Sequence, residues 1–517
     1  MSDKEPTYLC GSKPEIHDRT KNKLGDFEQT VKLLKANPDQ KLAIGLSRYN
    51  FFEIEKIVKL WEQLKNRSTS TSVEFSLRPL DSIEHRLRKA AEQVYWAQIP
   101  HVFVDPDLLP LLEAVEKAAN DKITTDSNIL RLLGMICDQA FIGPHRLLFD
   151  PLYACNLDCI YCNNFSIARR NVAKEIVELD PVYKFRGKSL DLERFKSLLK
   201  EAKALDVEAI SIVGSGEPTL YPRLVEILKF AHALGFKEID ISTNGIKFSK
   251  KLAKAAIKYQ LSSVTFSITG ATKESFALFH PEGARHYSTI LKNIKYLSKL
   301  KHKQMVKRPG IIALHVITKQ NLGELEASVE QAADVGCEKV WFQLIHLREF
   351  CKELELDSKD IELLKEKYQK AKKTAEKLGI ELSREFEWQL EKLQPGGSWT
   401  GPQLQSCPVG WWFSIVTCAD RVNFCCGWKE VGNIERQSFT ELWNSEQYRE
   451  YRHAARHIRF LGDTKFENSK TLMDDFCFYC DNFNFAVEIF SLLEKTDLLK
   501  FYAQGEPFKG FSNRLAI

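Results

Sequence analysis

The sequence predicts an α/β protein: a partial (βα)6 TIM-like barrel, a small α/β domain ahead of it, and a cysteine-rich extension behind it. Three observations point there. Between residues 146 and 345, six strand-like apolar runs alternate with helical patterns, the signature of a parallel sheet curling toward a barrel. A shorter alternation of the same kind occupies residues 35–125. The thirteen cysteines are clustered: three lie within Cys155–Cys162, and six more fall between Cys407 and Cys480.

Composition narrows the class. A chain of 517 residues exceeds one simple core, so roughly two to four domains are expected. A net charge of +5 at this length makes no case for a nucleic-acid or membrane-surface partner. Met1-Ser2-Asp3-Lys4-Glu5-Pro6 lacks the apolar core of a signal peptide, and no run approaches the roughly 18 apolar residues of a membrane span. The expected location is the cytoplasm, where clustered cysteines bind metal more often than they pair.

The elements follow in order. Residues 1–25 read as a polar tail, and Phe27, Val31 and Leu34 mark one face of a short helix. Strand–helix units then begin at Lys41–Leu46, Val73–Leu77 and His101–Val104, with no glycine-rich nucleotide motif among them. These residues, 1–140, are an accessory α/β domain of unassigned role, and a helix over Ile129–Phe141 leads out of it. The barrel strands are expected at Leu147–Leu152, Glu208–Val213, Glu238–Ser242, Ser263–Thr269, Ile311–Thr318 and Lys339–Ile345, which places a core domain over 141–350. A charged helix, Ser358–Leu378, stops at Gly379, and a Pro- and Gly-containing linker closes the 351–405 segment. The cysteine-rich extension spans 406–490 and a tail 491–517.

The first strand delivers the chemistry. Cys155, Cys159 and Cys162 stand at CxxxCxxC spacing, with the aromatic Tyr161 just before the last thiol. A structural zinc or a closed cluster takes four ligands, whereas three thiolates leave one iron of a four-iron cubane open. The spacing alone also admits half of a zinc site completed elsewhere. The loop resembles that of radical S-adenosylmethionine (SAM) enzymes. The resemblance implies a [4Fe-4S] cluster on Cys155, Cys159 and Cys162 whose open iron chelates SAM. It also implies one-electron cleavage of the sulfonium to a 5′-deoxyadenosyl radical.

Val213-Gly214-Ser215-Gly216-Glu217-Pro218 follows the second strand. Small residues at a strand end let a ligand approach the backbone closely. The turn resembles the family's GGE motif with Ser215 in place of the first glycine, and the resemblance assigns Ser215, Gly216 and Glu217 to the SAM amino group. It likewise implies SAM contacts for Asn244 and Ser267 at the next strand ends, while position alone places Tyr161 and the sixth-strand end near Leu344 beside the adenine.

The extension carries Cys407-Pro408, then Cys418, Cys425 and Cys426, then Gly432-Asn433-Ile434, Leu442-Trp443, and finally Cys477-Phe478-Tyr479-Cys480. Four clustered thiolates suit zinc as well as iron. The order resembles the SPASM/twitch extension in its single-cluster form. That implies one auxiliary [4Fe-4S] cluster on Cys407, Cys425, Cys477 and Cys480, with Cys426 as the replacement for Cys425, and Cys418 and Cys351 as further thiols. The resemblance implies an oxidoreductase or maturase acting on a peptide or protein side chain, served by a reductase such as flavodoxin or ferredoxin. A small sugar or amino alcohol is the alternative substrate. A non-catalytic iron–sulfur or zinc sensor explains the cysteines but not the Gly214–Glu217 turn. No acid or base is singled out among the twelve histidines.

Overall fold

A computed structural model of the chain describes residues 108–164, 187–394, 406–426, 429–461 and 482–503, with short pieces at 7–8, 28–32, 42–46, 101–104 and 471–473 and at 56, 60, 477 and 480. The strand expected at 73–77 and most of the linker lie outside these residues.

Two sheets form. In the smaller, β1 (Thr7–Tyr8), β2 (Leu42–Leu46) and β3 (His101–Val104) run parallel in that order. β1 corrects the expectation of a polar tail: Thr7 pairs with Leu42 and Tyr8 with Ala43. Two residues carry no periodicity to read, so only the partner strand reveals them.

The larger sheet has ten strands. β4 (Arg146–Asp150), β5 (Ala209–Ile212), β6 (Glu238–Thr243), β7 (Ser263–Ser267), β8 (Gly310–Ile317) and β9 (Lys339–Leu344) pair consecutively and in parallel. β10 (Glu381–Leu382) adds beyond β9. The arc stays open, because β4 pairs with β11 (Phe413–Thr417) and not with β9. β12 (Arg421–Asn423) and β13 (Glu430–Asn433) continue antiparallel from β11. The cysteine-rich extension thus lengthens the barrel sheet from the edge of its first strand.

Local chemistry explains the elements. β5 is buried on both faces, as a parallel strand between helical layers must be. β8 alternates, burying Ile311, Ala313, His315 and Ile317 against the helices. Asp191, Ser249 and Asp357 cap their helices with side-chain oxygens, and Thr272 with Ser275 forms a capping box on the helix Lys273–Phe279. That helix, β10 and the helix Arg384–Lys392 were not legible as separate elements in the sequence. At the N-terminal strand ends Arg146 pairs with Glu238 and Asp240 and donates to Ser211 at 2.8 Å, a polar floor opposite the cysteine loop.

Two large cores organise the described residues. The main one fills the barrel and its helices and extends through Val416, Val422, Leu442 and Trp443. The second gathers the helices Leu108–Asn120 and Asp126–Cys137, Trp411, Trp412, and the helices Asn482–Lys495 and Leu499–Ala503. The chain is therefore folded through Ala503, where a tail was expected from residue 491. Arg131 fastens the helix Asp126–Cys137 to the barrel through Gly143 O at 3.1 Å and Asp206 O at 2.8 Å.

Candidate functional site

The cysteine loop leaves β4 at its C-terminal end, the catalytic face of α/β barrels. It is docked on the segment after the helix Lys273–Phe279. Ile160 N–H donates to Phe279 O at 3.0 Å, Glu282 N–H to Asp158 Oδ2 at 3.4 Å, and buried Leu157 lies against Gly283. Cys155, Cys159 and Cys162 are all partly buried. Burial pushes the Cys155 thiol up to about 12, with Glu217 and Cys162 adding to the shift. Burial also holds Cys159 far above its ordinary value, and the Cys162 and Cys155 thiols push the same way. The three thiols are thus within electrostatic reach of one another. They fit a group that binds three separate thiolates and displaces their protons. Among the described residues, no three His, Cys, Asp or Glu side chains are arranged to hold a single metal ion.

The Gly214–Glu217 turn lies directly beside this loop. Gly214 adopts φ 146°, and a Cβ on it would sit 2.2 Å from Asp150 Oδ1. A Cβ on Gly216 would meet Leu152 O at 2.1 Å and Ala154 O at 2.5 Å. Glu217 N–H donates to Ala154 O at 2.8 Å. The turn and the lead-in to Cys155 are packed backbone to backbone, which only glycine permits.

Glu217 is buried, and its carboxylate accepts four hydrogen bonds from the chain. Oε1 takes Thr219 N–H at 3.0 Å, Thr219 Oγ1–H at 2.5 Å and Thr243 Oγ1–H at 2.6 Å; Oε2 takes Asn244 N–H at 2.7 Å. Burial nevertheless raises its pKa. Glu217 therefore ties the end of β6 to the turn. Asn244 reaches the cysteine loop: its Nδ2–H donates to Asn156 Oδ1 at 2.8 Å and lies 4.0 Å from Cys155 Sγ. Ser215 O accepts from Asn164 Nδ2 at 3.4 Å. Tyr161 donates its hydroxyl to Thr269 Oγ1 at 2.7 Å, and its ring lies against Phe279 and His280. Ser267 ends β7, half-buried, and Leu344 N–H at the end of β9 donates to Gln389 Oε1 at 3.4 Å. The structure thus brings Tyr161, Ser215, Gly216, Glu217 and Asn244 around one loop.

Four residues at this centre were missed in the sequence. Thr243 and Thr269 are partners of Glu217 and Tyr161. Arg348, beyond β9, donates Nε–H to Asn163 Oδ1 at 3.3 Å and joins the last barrel strand to the cysteine loop. Asp150, the last residue of β4, is 2% exposed against the turn. Burial raises its pKa to about 7, against the pull of the Ser215 and Gly216 backbone N–H groups.

Folding disfavours the charged form of Asp150, so its contribution to stability is fully present below the unfolded pKa near 3.8 and is lost as pH rises toward about 7. Asp150→Asn is therefore expected to gain on the wild type between pH 4.5 and 7.5, by up to about 4 kcal/mol. Melting temperatures of the two proteins across that range test it; a constant difference contradicts it.

The second group of thiols surrounds Cys407. Burial pushes the Cys407 thiol up to about 12, the Val409 N–H opposes this, and the Cys477 and Cys426 thiols add to it. Cys425 packs against the main core, with its thiol near enough to raise the Tyr448 hydroxyl. Cys418 is elsewhere: it is fully buried beside Asp150 and Tyr153 at the end of β4. Cys351 is buried with Ile345 and Leu347 against Ile160 and Tyr161 of the first loop. Neither extra thiol joins the Cys407 group.

An open parallel barrel with a three-thiol loop at its first strand, a glycine turn packed on that loop and a second thiol group on the continuing sheet defines a radical SAM protein with an auxiliary iron–sulfur domain. Residues 150–332 match the Radical SAM superfamily and residues 407–481 the iron–sulfur cluster-binding SPASM domain. The chain thus carries a radical SAM core over residues 150–332 and an iron–sulfur SPASM domain over residues 407–481. The two domains bring with them four-iron clusters and S-adenosylmethionine as cofactors. The mycofactocin maturase MftC of Mycobacterium tuberculosis H37Rv is 26% identical over 201 residues, 38% of this chain and 44% of that protein. A probable GTP 3′,8-cyclase of Saccharolobus islandicus is 22% identical over 197 residues, 38% of this chain and 54% of that protein. The chain spans less than half the length of the maturase it matches. The structure of Streptococcus suis SuiB bound to precursor peptide SuiA aligns over 88% of this chain and 85% of SuiB, with 15% identity and a TM-score of 0.47. No helix among the described residues is long and apolar enough to cross a membrane.

Proposed function

We propose that this chain is a radical SAM maturase that removes a hydrogen atom from a peptide or protein side chain, leading to oxidation or a crosslink. The observation that carries the reading is the continuous sheet: β11, which leads into the auxiliary cysteines, pairs residue for residue with β4, which leads into the SAM-binding cysteines. Two thiol groups on one rigid sheet suit a reaction in which a substrate radical made at one must give up an electron at the other. Similarity to the mycofactocin maturase supports a maturation reaction, and similarity to the probable GTP 3′,8-cyclase favours a small molecule as the second reading.

When bound, the first cluster supplies one electron to the SAM sulfonium and so yields the 5′-deoxyadenosyl radical. The chain's own part is to hold and exclude. Cys155, Cys159 and Cys162 are the cluster ligands. The Ser215–Gly216 backbone offers its carbonyls to the SAM amino group, with Glu217 fixing that turn. Asn244, Ser267 and Tyr161 line the same face. Cys407, Cys477 and Cys480 hold the single auxiliary cluster together with one of the neighbours Cys425 and Cys426. A flavodoxin- or ferredoxin-like reductase in the cytoplasm supplies electrons.

The charge interaction among Cys407, Cys477 and Cys426 supports Cys426 as the fourth auxiliary ligand. Cys426→Ala is then expected to lower anaerobically bound iron from about eight to about four per chain, with Cys425→Ala keeping about eight. The reverse pattern restores Cys425 to the set.

The substrate class is tested by incubating the reconstituted protein with SAM, a reductant and any short peptide encoded beside its gene. A peptide lighter by a pair of hydrogens, with one 5′-deoxyadenosine per product, is expected. An unchanged peptide alongside an oxidised sugar or amino alcohol selects the second reading.

A further inference from the structure

The interior beside the auxiliary cysteines carries an excess of positive charge. The helix Glu446–Arg456 buries Arg452, at 0% exposure, and Arg456, at 3%. Arg452 lies 4.2 Å over both the Trp443 and Tyr448 rings and donates to Gly410 O at 2.8 Å and Trp443 O at 2.9 Å. Arg456 donates to Ile136 O at 2.6 Å and Tyr502 O at 3.1 Å. Those acceptors are all neutral carbonyls. Arg452 Nη1 and Arg456 Nε have no hydrogen-bond partner, and neither guanidinium forms an ion pair among the described residues. The nearby buried carboxylate, Asp138, is paired with His453.

A buried cation without an anion costs several kcal/mol. The segments that carry the cysteines show which anion fits. Gly410, three residues after Cys407, is packed so closely that a Cβ on it would lie 2.8 Å from Arg452 Cγ and 2.4 Å from the ring of Phe424, the neighbour of Cys425. Cys407 N–H donates to Ala455 O at 2.8 Å, next to Arg456. Ser406, before Cys407, bonds the Tyr502 hydroxyl, and the Arg456 guanidinium lies 5.0 Å over that ring. Both arginines are therefore wedged between the backbone segments that present the auxiliary thiols. Four thiolates give a four-iron cluster a net negative charge that grows by one on reduction.

We propose that Arg452 and Arg456 are the built-in counter-charges of the auxiliary cluster and hold its reduction potential up. This rests on the reading of the Cys407 group as a cluster site. Their role is positioning and electrostatic, since neither is proposed as a ligand. A negatively charged cluster on the Cys407 group offsets the two guanidinium groups buried in this part of the core.

The test uses full-length protein carrying Cys155→Ala, Cys159→Ala and Cys162→Ala, so that only the auxiliary cluster remains, reconstituted anaerobically and titrated redox-potentiometrically with EPR detection. Arg452→Met is expected to shift the potential negative, Arg452→Lys to stay near the parent, and Arg456→Gln added to Arg452→Met to shift it further. Should Arg452→Met fail to fold, the pair Arg456→Gln and Arg456→Lys is read in the same way. Equal potentials for charged and neutral replacements overturn the proposal. Absence of iron from the parent triple variant instead overturns the assignment of the cluster site itself.

Discussion

Replacing Cys155, Cys159 and Cys162 together by alanine abolishes SAM cleavage and lowers bound iron from about eight to about four per chain. The expectation follows from the separation of the two thiol groups. The first is fixed by the end of β4 and the segment after Phe279, and the second by Ala455 and the Cys407 turn. Neither extra thiol can substitute within the Cys407 group, because Cys418 faces Asp150 and Cys351 faces Tyr161. Anaerobic iron and sulfide counts, with chromatography for 5′-deoxyadenosine, check both halves of the prediction. Continued formation of the nucleoside in the triple variant would falsify the assignment of this loop.

Gly216→Ala has the second largest expected effect. An added methyl cannot fit 2.1 Å from Leu152 O and 2.5 Å from Ala154 O, since both are backbone atoms of the lead-in to Cys155. The turn must lift away, the Glu217 N–H to Ala154 O bond is lost, and the carbonyls proposed to face SAM move with it. SAM affinity is expected to fall by at least about tenfold, with a stability cost of about 1–3 kcal/mol. Gly323→Ala is the control: nothing lies within 4 Å of its added Cβ. Equilibrium dialysis with SAM and chemical denaturation of both variants read the difference, and equal behaviour refutes the packing account of the turn.

The barrel was legible in the sequence because each of its strands and helices carries its own period. The helix Ser358–Leu378 matches its expected limits for that reason, with Asp357 capping its start and Gly379 its end. β1 and β10 were hidden, because two-residue strands exist only through their partners. The place of β11 on the edge of β4 was hidden as well: an apolar five-residue run does not say which distant strand it will pair with. At the site, residue types were readable but their partners were not. An acidic residue in a glycine turn suggests a ligand contact. Its bonds to Thr219 are local, but those to Thr243 and Asn244 depend on β6 arriving beside the turn. For adjacent thiols such as Cys425 and Cys426, only the backbone decides which one faces Cys407.

The pairing of β11 on β4 bears on how the protein is made. During synthesis, Phe413 emerges long after Arg146, its partner, so the strand that bears the cysteine loop spends most of translation with one side of its main chain unpaired. An exposed parallel edge of apolar residues such as Leu147, Leu148 and Phe149 invites pairing with other nascent chains. Chains that stop before Thr417 keep that edge permanently, and they are expected to aggregate even though every barrel strand is present.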